Sequence, residues 1–184
     1  MKILKSLIVT SSLLFVAICF ADKTALSGGD GGASATGGKF QFDPIAGANT
    51  CITSKYGPRM LNGSADFHSG WDFKAPVGTT IQAMGDGKIT ATGFTQMCGK
   101  YVEIKFHSPA VYAHFCHLKS LKSGITVGQT VTGGEALGQT DTTGHAFGPH
   151  LHFVIKGAPG MSDLKNANGI TMDPAHYLPS TPAC

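Results

Sequence analysis

The chain has 184 residues and a formal charge of +3, enough for one domain of ordinary size once an export signal is set aside. Lys2 and Lys5 lie in that signal, so the remainder carries +1, and Arg59 is the sole arginine. Clustered lysine and arginine of the kind that holds phosphates is absent, so no nucleic acid partner is expected.

Residues 1–21 have the three parts of a secretory signal: Lys2 and Lys5, an apolar run over 7–20, and the cleavage site Cys19-Phe20-Ala21. The run is about 14 residues, short of the ~20 that span a membrane, so no stable insertion is expected after cleavage. Residues 22–39, which include SGGDGGASATGG, are too rich in glycine to bury a core and read as a flexible tether. Residues 40–184 are expected to form the folded domain.

Once the signal is gone, Cys51, Cys98, Cys116 and Cys184 remain. Four cysteines in an exported chain predict two disulfides, with three possible connectivities. Cys98–Cys116 is favoured because both lie near the open end of an expected hairpin, which leaves Cys51–Cys184. A thiolate zinc site would lack any C-x-x-C spacing.

From there the pattern is β. Residues 79–84 and 88–94 read as strands around the turn Gly85-Asp86-Gly87. Residues 100–107 alternate, with Val102, Ile104 and Phe106 on one face and Tyr101, Glu103 and Lys105 on the other. Ser108-Pro109 turns the chain into a partner strand over 110–118. Residues 149–155 form the last expected strand, and helix is confined to short turns near 173–177.

The candidate chemistry lies in histidines and one aspartate. His150 and His152 flank Leu151 in a strand, so both rings share a face while Leu151 enters the core. His68 and Asp72, four apart around Gly70, supply an imidazole and a carboxylate. With a further imidazole these make a normal ligand set for a zinc that keeps its fourth position open. His114 shares the face of Tyr112, opposite Val111, Ala113 and Phe115. His107, His117, His145 and His176 read as structural or exposed, with His117 only three residues from His114.

Taken together, the segments resemble the lysostaphin-type (LytM-type) zinc endopeptidases of bacterial cell walls. The resemblance runs from Ser54-Lys55-Tyr56-Gly57-Pro58-Arg59 through His68-Ser69-Gly70-Trp71-Asp72 and Ala75-Pro76-Val77-Gly78-Thr79. It continues with Tyr112-Ala113-His114 and Gly148-Pro149-His150-Leu151-His152, and ends at Asp173-Pro174-Ala175-His176-Tyr177-Leu178. It implies a mainly β, compact antiparallel, sandwich-like domain with a metal site in a loop-walled groove. It implies Zn2+ held by His68, Asp72 and His152, with His114 and His150 catalytic. The run Phe115-Cys116-His117-Leu118 departs from the leucine-serine stretch usual after that histidine, which leaves His117 as an alternative register. The order Tyr112-Ala113-His114 favours His114.

The implied activity is hydrolysis of peptide cross-links or stem peptides in peptidoglycan by an exported monomer, in the periplasm or outside the cell. The alternatives are a non-catalytic wall-binding or hydrolase-activating module of the same fold, a zinc peptidase acting on proteins, and a sugar-transport phosphocarrier. The export signal disfavours the phosphocarrier.

Overall fold

Alternating apolar and polar residues build the sheet seen in the computed structural model, which describes residues 38–47, 50–157, 171–179 and 182–184. The leader expected over 1–21 and nearly all of the tether lie outside the described residues. Among the described residues the strands are β1 (Ile52–Ser54), β2 (Gly57–Leu61), β3 (Ser64–His68), β4 (Trp71–Lys74), β5 (Thr80–Gln82), β6 (Gly87–Thr95), β7 (Gly99–Phe106), β8 (Tyr112–Leu121), β9 (Thr130–Val131), β10 (Ala136–Thr140), β11 (His150–Lys156) and β12 (Thr171–Met172). A 3₁₀ turn, Pro174–His176, is capped by the Asp173 side chain, which accepts from Ala175 N–H. No helix among the described residues is long and apolar enough to cross a membrane.

One sheet runs β1-β4-β11-β8-β7-β6-β9, with β10 joining β5 to β8 and β12 added to β11. β2 and β3 form a separate hairpin, and every strand pair is antiparallel. The fold class is therefore the expected one. One face of the central strands carries Phe73, Val102, Ile104, Phe106, Ala113, Phe115, Leu151, Phe153 and Ile155, all fully buried. Ile81, Met84 and Leu137 close over them from the β5–β10 side. Each such aromatic or branched side chain contributes about 2–3 kcal/mol by leaving water. The expected alternation in β7 holds on this face.

The other face is also partly enclosed, with Glu103 buried. Asp72, His152 and Cys116 are direct cross-strand neighbours on that face, in the ladders β4–β11 and β11–β8. One irregularity matters for the site. Lys100 pairs with Leu118 and Val102 with Phe115, so Tyr101 faces both Cys116 and His117 across a β-bulge. His117 takes φ 60°, a left-handed conformation rare for a residue with a side chain. Strict alternation would send its ring to the core side beside Phe115. The bulge returns it to the face of His152, and Leu118 resumes the buried positions.

Candidate active site

The turn joining β3 to β4 lies directly on β11. A Cβ on Gly70 would stand 2.1 Å from the Phe153 carbonyl oxygen, so glycine alone allows the approach. That contact sets His68, the last residue of β3, against Asp72 and His152. His68 Nε2 is 3.1 Å from Asp72 Oδ1 and 3.1 Å from His152 Nδ1. His152 Nδ1 is 2.8 Å from the same Asp72 oxygen. The three ligand-type side chains each present one atom, all within 4.8 Å of one another.

An outer contact decides which ring atom His68 presents. His68 Nδ1–H donates to the Lys55 carbonyl at 2.8 Å, which leaves the Nε2 lone pair pointing at the cluster. Ser54 Oγ is 3.2 Å from the same Nδ1. Arg59 Nε donates to Asp66 Oδ2 at 2.8 Å and its Nη1 to Ser54 Oγ at 2.9 Å. The same Nη1 lies 3.8 Å from Asp72 Oδ2, behind the carboxylate. The guanidinium holds the Asp66 carboxyl below its ordinary value.

Two imidazole nitrogens at 3.1 Å with lone pairs turned inward repel unless a proton or a cation lies between them. Two nitrogens and one carboxylate oxygen, with one side open, form a donor set that suits zinc. Burial alone would raise the Asp72 carboxyl, but the His152 and His68 rings against it outweigh burial and hold it well below the usual carboxylate range. Burial lowers His152, leaving its ring neutral as a ligand must be.

Two further imidazoles stand beside this group. His150, across from Lys74 in the β4–β11 ladder, donates Nδ1–H to the Gly148 carbonyl at 2.8 Å. Its Nε2 is 3.6 Å from Asp72 Oδ1. The second is His117, whose ring centroid is 4.6 Å from that of His150 and 6.0 Å from that of His152. His117 donates Nδ1–H to the Thr143 carbonyl at 2.7 Å, so it too keeps Nε2 for other work. Burial pushes the His117 ring down to about 4.

The structure does not bring His114 to this group, against the register favoured above. His114 is fully buried, its Nε2 against the Glu103 carboxylate and 3.1 Å from Lys156 Nζ, with Tyr101 stacked on its ring. Lys156 Nζ is 3.6 Å from Glu103 Oε2. Register is the reason: Val154, not His152, lies opposite His114 in the β8–β11 ladder, whereas the bulge turns His117 to the site, a shift that periodicity does not record. The one sequence signal was the departure at Phe115-Cys116-His117-Leu118. The expected disulfides Cys51–Cys184 and Cys98–Cys116 are both formed.

The sequence profile of peptidase family M23 matches residues 66–174. Peptidoglycan DD-endopeptidase ShyC of Vibrio cholerae is 34% identical over 128 residues, which take in 65% of this chain and 29% of that protein. A zinc containing peptidase from Vibrio cholerae superposes with a TM-score of 0.57 at 30% identity, over 64% of this chain and 36% of that one. The catalytic domain of lysostaphin from Staphylococcus simulans gives 0.56 at 29% identity, over 67% and 88%. The chain spans less than a third of the length of the curated relatives it matches. With more than half its length inside the profile match, and His68, Asp72 and His152 all within it, the chain belongs to peptidase family M23.

Proposed function

We propose that this chain is an exported zinc endopeptidase that hydrolyses peptide bonds of bacterial peptidoglycan. The observation that carries the reading is the convergence of His68, Asp72 and His152 on one point, with His117 and His150 beside it. His68 Nε2, His152 Nδ1 and Asp72 Oδ1 would hold the zinc, which when bound supplies a Lewis acid and lowers the pKa of water at the open side. Arg59 and the Lys55 carbonyl keep the ligands aimed.

His117 and His150 are the proposed catalytic pair, so His117 takes the role first given to His114. Each has its Nδ1 proton committed to a backbone carbonyl, so Nε2 is free to accept a proton from water or return one to the departing amine. A neutral His117 is ready to accept, and a nearby cation would keep it neutral. The similarity to a peptidoglycan DD-endopeptidase and to lysostaphin supports peptidoglycan as the substrate class.

Purified protein loaded with zinc, incubated with diaminopimelate-type and glycine-bridged sacculi, tests the reading by mass spectrometry of released fragments. New amine and carboxyl ends are expected from the intact protein. His117→Ala and His150→Ala are expected to keep zinc and lose about 10²–10⁴ in kcat, and His68→Ala to lose zinc. Stoichiometric zinc without cleavage of either wall would overturn peptidoglycan as the substrate, and a fully active His117→Ala would overturn the assignment of the pair.

A further inference from the structure

His117 is fixed by groups that are neither ligands nor part of the proposed chemistry. Its backbone N–H donates to the Cys98 carbonyl at 2.7 Å, and its carbonyl accepts from Asp141 N–H at 2.7 Å. Its ring rests on the Thr143 carbonyl, and Thr143 is itself fastened: Oγ1 donates to the Leu118 carbonyl at 2.9 Å and accepts from Lys100 N–H at 3.1 Å. His145 N–H donates to the Met97 carbonyl at 3.0 Å. A Cβ on Gly99 would stand 2.2 Å from the Thr143 carbonyl oxygen, so the two backbones are in close contact. Residues 97–100, at the end of the β6–β7 hairpin, thus support both the backbone of His117 and the carbonyl that orients its ring.

One covalent bond joins this platform to the strand bearing His117. Cys98 is bonded to Cys116, the residue before His117 and the cross-strand neighbour of His152. Both cysteines are buried. A non-glycine residue in the left-handed region relaxes toward extended backbone unless its surroundings hold it. For His117 that relaxation would restore strict alternation and swing the ring away from His150.

We propose that the Cys98–Cys116 disulfide is a positioning element of the active site, holding the platform under the bulge so that His117 keeps its Nε2 beside His150. The proposal rests on the role assigned to His117. The second disulfide supplies the contrast. Cys51–Cys184 spans 133 residues and fastens the C-terminus to β1, whereas Cys98–Cys116 spans 18. If both bonds acted only by restricting the unfolded chain, removing the longer loop would cost more stability and neither loss would change turnover.

The experiment compares Cys98→Ser/Cys116→Ser, Cys51→Ser/Cys184→Ser and His117→Ala in the full exported chain, each below its own melting transition. Zinc content, kcat and KM on a purified cross-linked muropeptide, and ring ¹⁵N shifts of His117 are measured. The Cys98/Cys116 variant is expected to bind one zinc, keep KM within twofold, lose at least tenfold in kcat and lose the fixed Nδ1–H tautomer of His117. The Cys51/Cys184 variant is expected to melt lower while keeping kcat within twofold. Wild-type kcat and tautomer in the Cys98/Cys116 variant beside an inactive His117→Ala overturn the proposal alone. Full activity in His117→Ala removes the catalytic role on which it rests. Should the Cys98/Cys116 variant not fold, Gly99→Ala presses on the Thr143 carbonyl with the disulfide intact. The same kcat loss is expected there, and unchanged kcat and tautomer overturn the proposal.

Discussion

At His114 the sheet buries an imidazole, a carboxylate and an ammonium together: His114 Nε2 meets Glu103 and Lys156, Lys156 also lies against Glu103, and His114 Nδ1 is left without a hydrogen-bond partner among the described residues. Thr90 Oγ1 donates to Glu103 Oε1 at 2.6 Å, which further fastens the carboxylate. Removing one member of such a group leaves charge or a polar atom buried without its partner, at a cost of about 2–4 kcal/mol. His114→Ala is therefore expected to lower the melting temperature while folded molecules keep their turnover. Parallel measurement of Tm and kcat separates this from His117→Ala, where the losses are reversed. A second prediction at this scale concerns acid. Burial lowers His114, His117 and His152. The unfolded chain, with imidazoles near 6.5, therefore binds more protons than the folded one below that pH. The stability these neutral rings contribute is complete above about 6.5 and is lost as pH falls through the folded values, about 4 for His117. Chelated, metal-free protein is expected to show Tm falling steadily from pH 7 to 4. A flat profile would show that the rings are solvated.

The elements that matter most are a turn and a bulge. The Ser69-Gly70 turn brings His68 onto Asp72 and His152 because Gly70 lies against the backbone of β11. Gly70→Ala introduces a carbon that cannot fit there, so the turn must lift and carry His68 with it. Zinc affinity is expected to fall at least tenfold, roughly the loss of one well-placed ligand contact. Competition with a chromophoric chelator measures it, and unchanged affinity would show that the turn is not what seats His68. The β8 bulge works in the same sense for His117. It exchanges regular pairing for a ring on the right face, at a backbone cost of order 1–3 kcal/mol that its neighbours must offset.

Across the whole domain the two disulfides divide the labour by loop length. Cys51–Cys184 spans nearly the entire described domain, and beside it Ile52 N–H donates to the Pro182 carbonyl at 2.9 Å while Cys184 N–H donates to the Ile52 carbonyl at 3.0 Å. Closing a loop of this length stabilises by about 5 kcal/mol in the chain-entropy account, against about 3 kcal/mol for the shorter one. Loss of Cys51–Cys184 is expected to lower Tm by on the order of 10 °C, measurable by calorimetry. A smaller shift than that of the Cys98/Cys116 variant would show that native contacts outweigh unfolded-state entropy here.

The sequence by itself determined the antiparallel β class, the inward residues of β7, Leu151 of β11, the presence of two disulfides, and the likeness that singled out His68, Asp72 and His152. Those features follow from local rules: a period of two, turn residues, an even cysteine count and short fixed spacings. Tertiary structure decided which histidine joins His150. Strict alternation assigns His114 and Cys116 to one face of β8 and His117 to the other, and only the pairing with β7 shows that two residues oppose Tyr101. Whether a strand bulges depends on what its neighbours and the crossing loop require, here Cys98, Gly99 and Thr143. Cys98 and Thr143, 19 and 26 positions from His117 in the chain, thus hold its backbone and its ring.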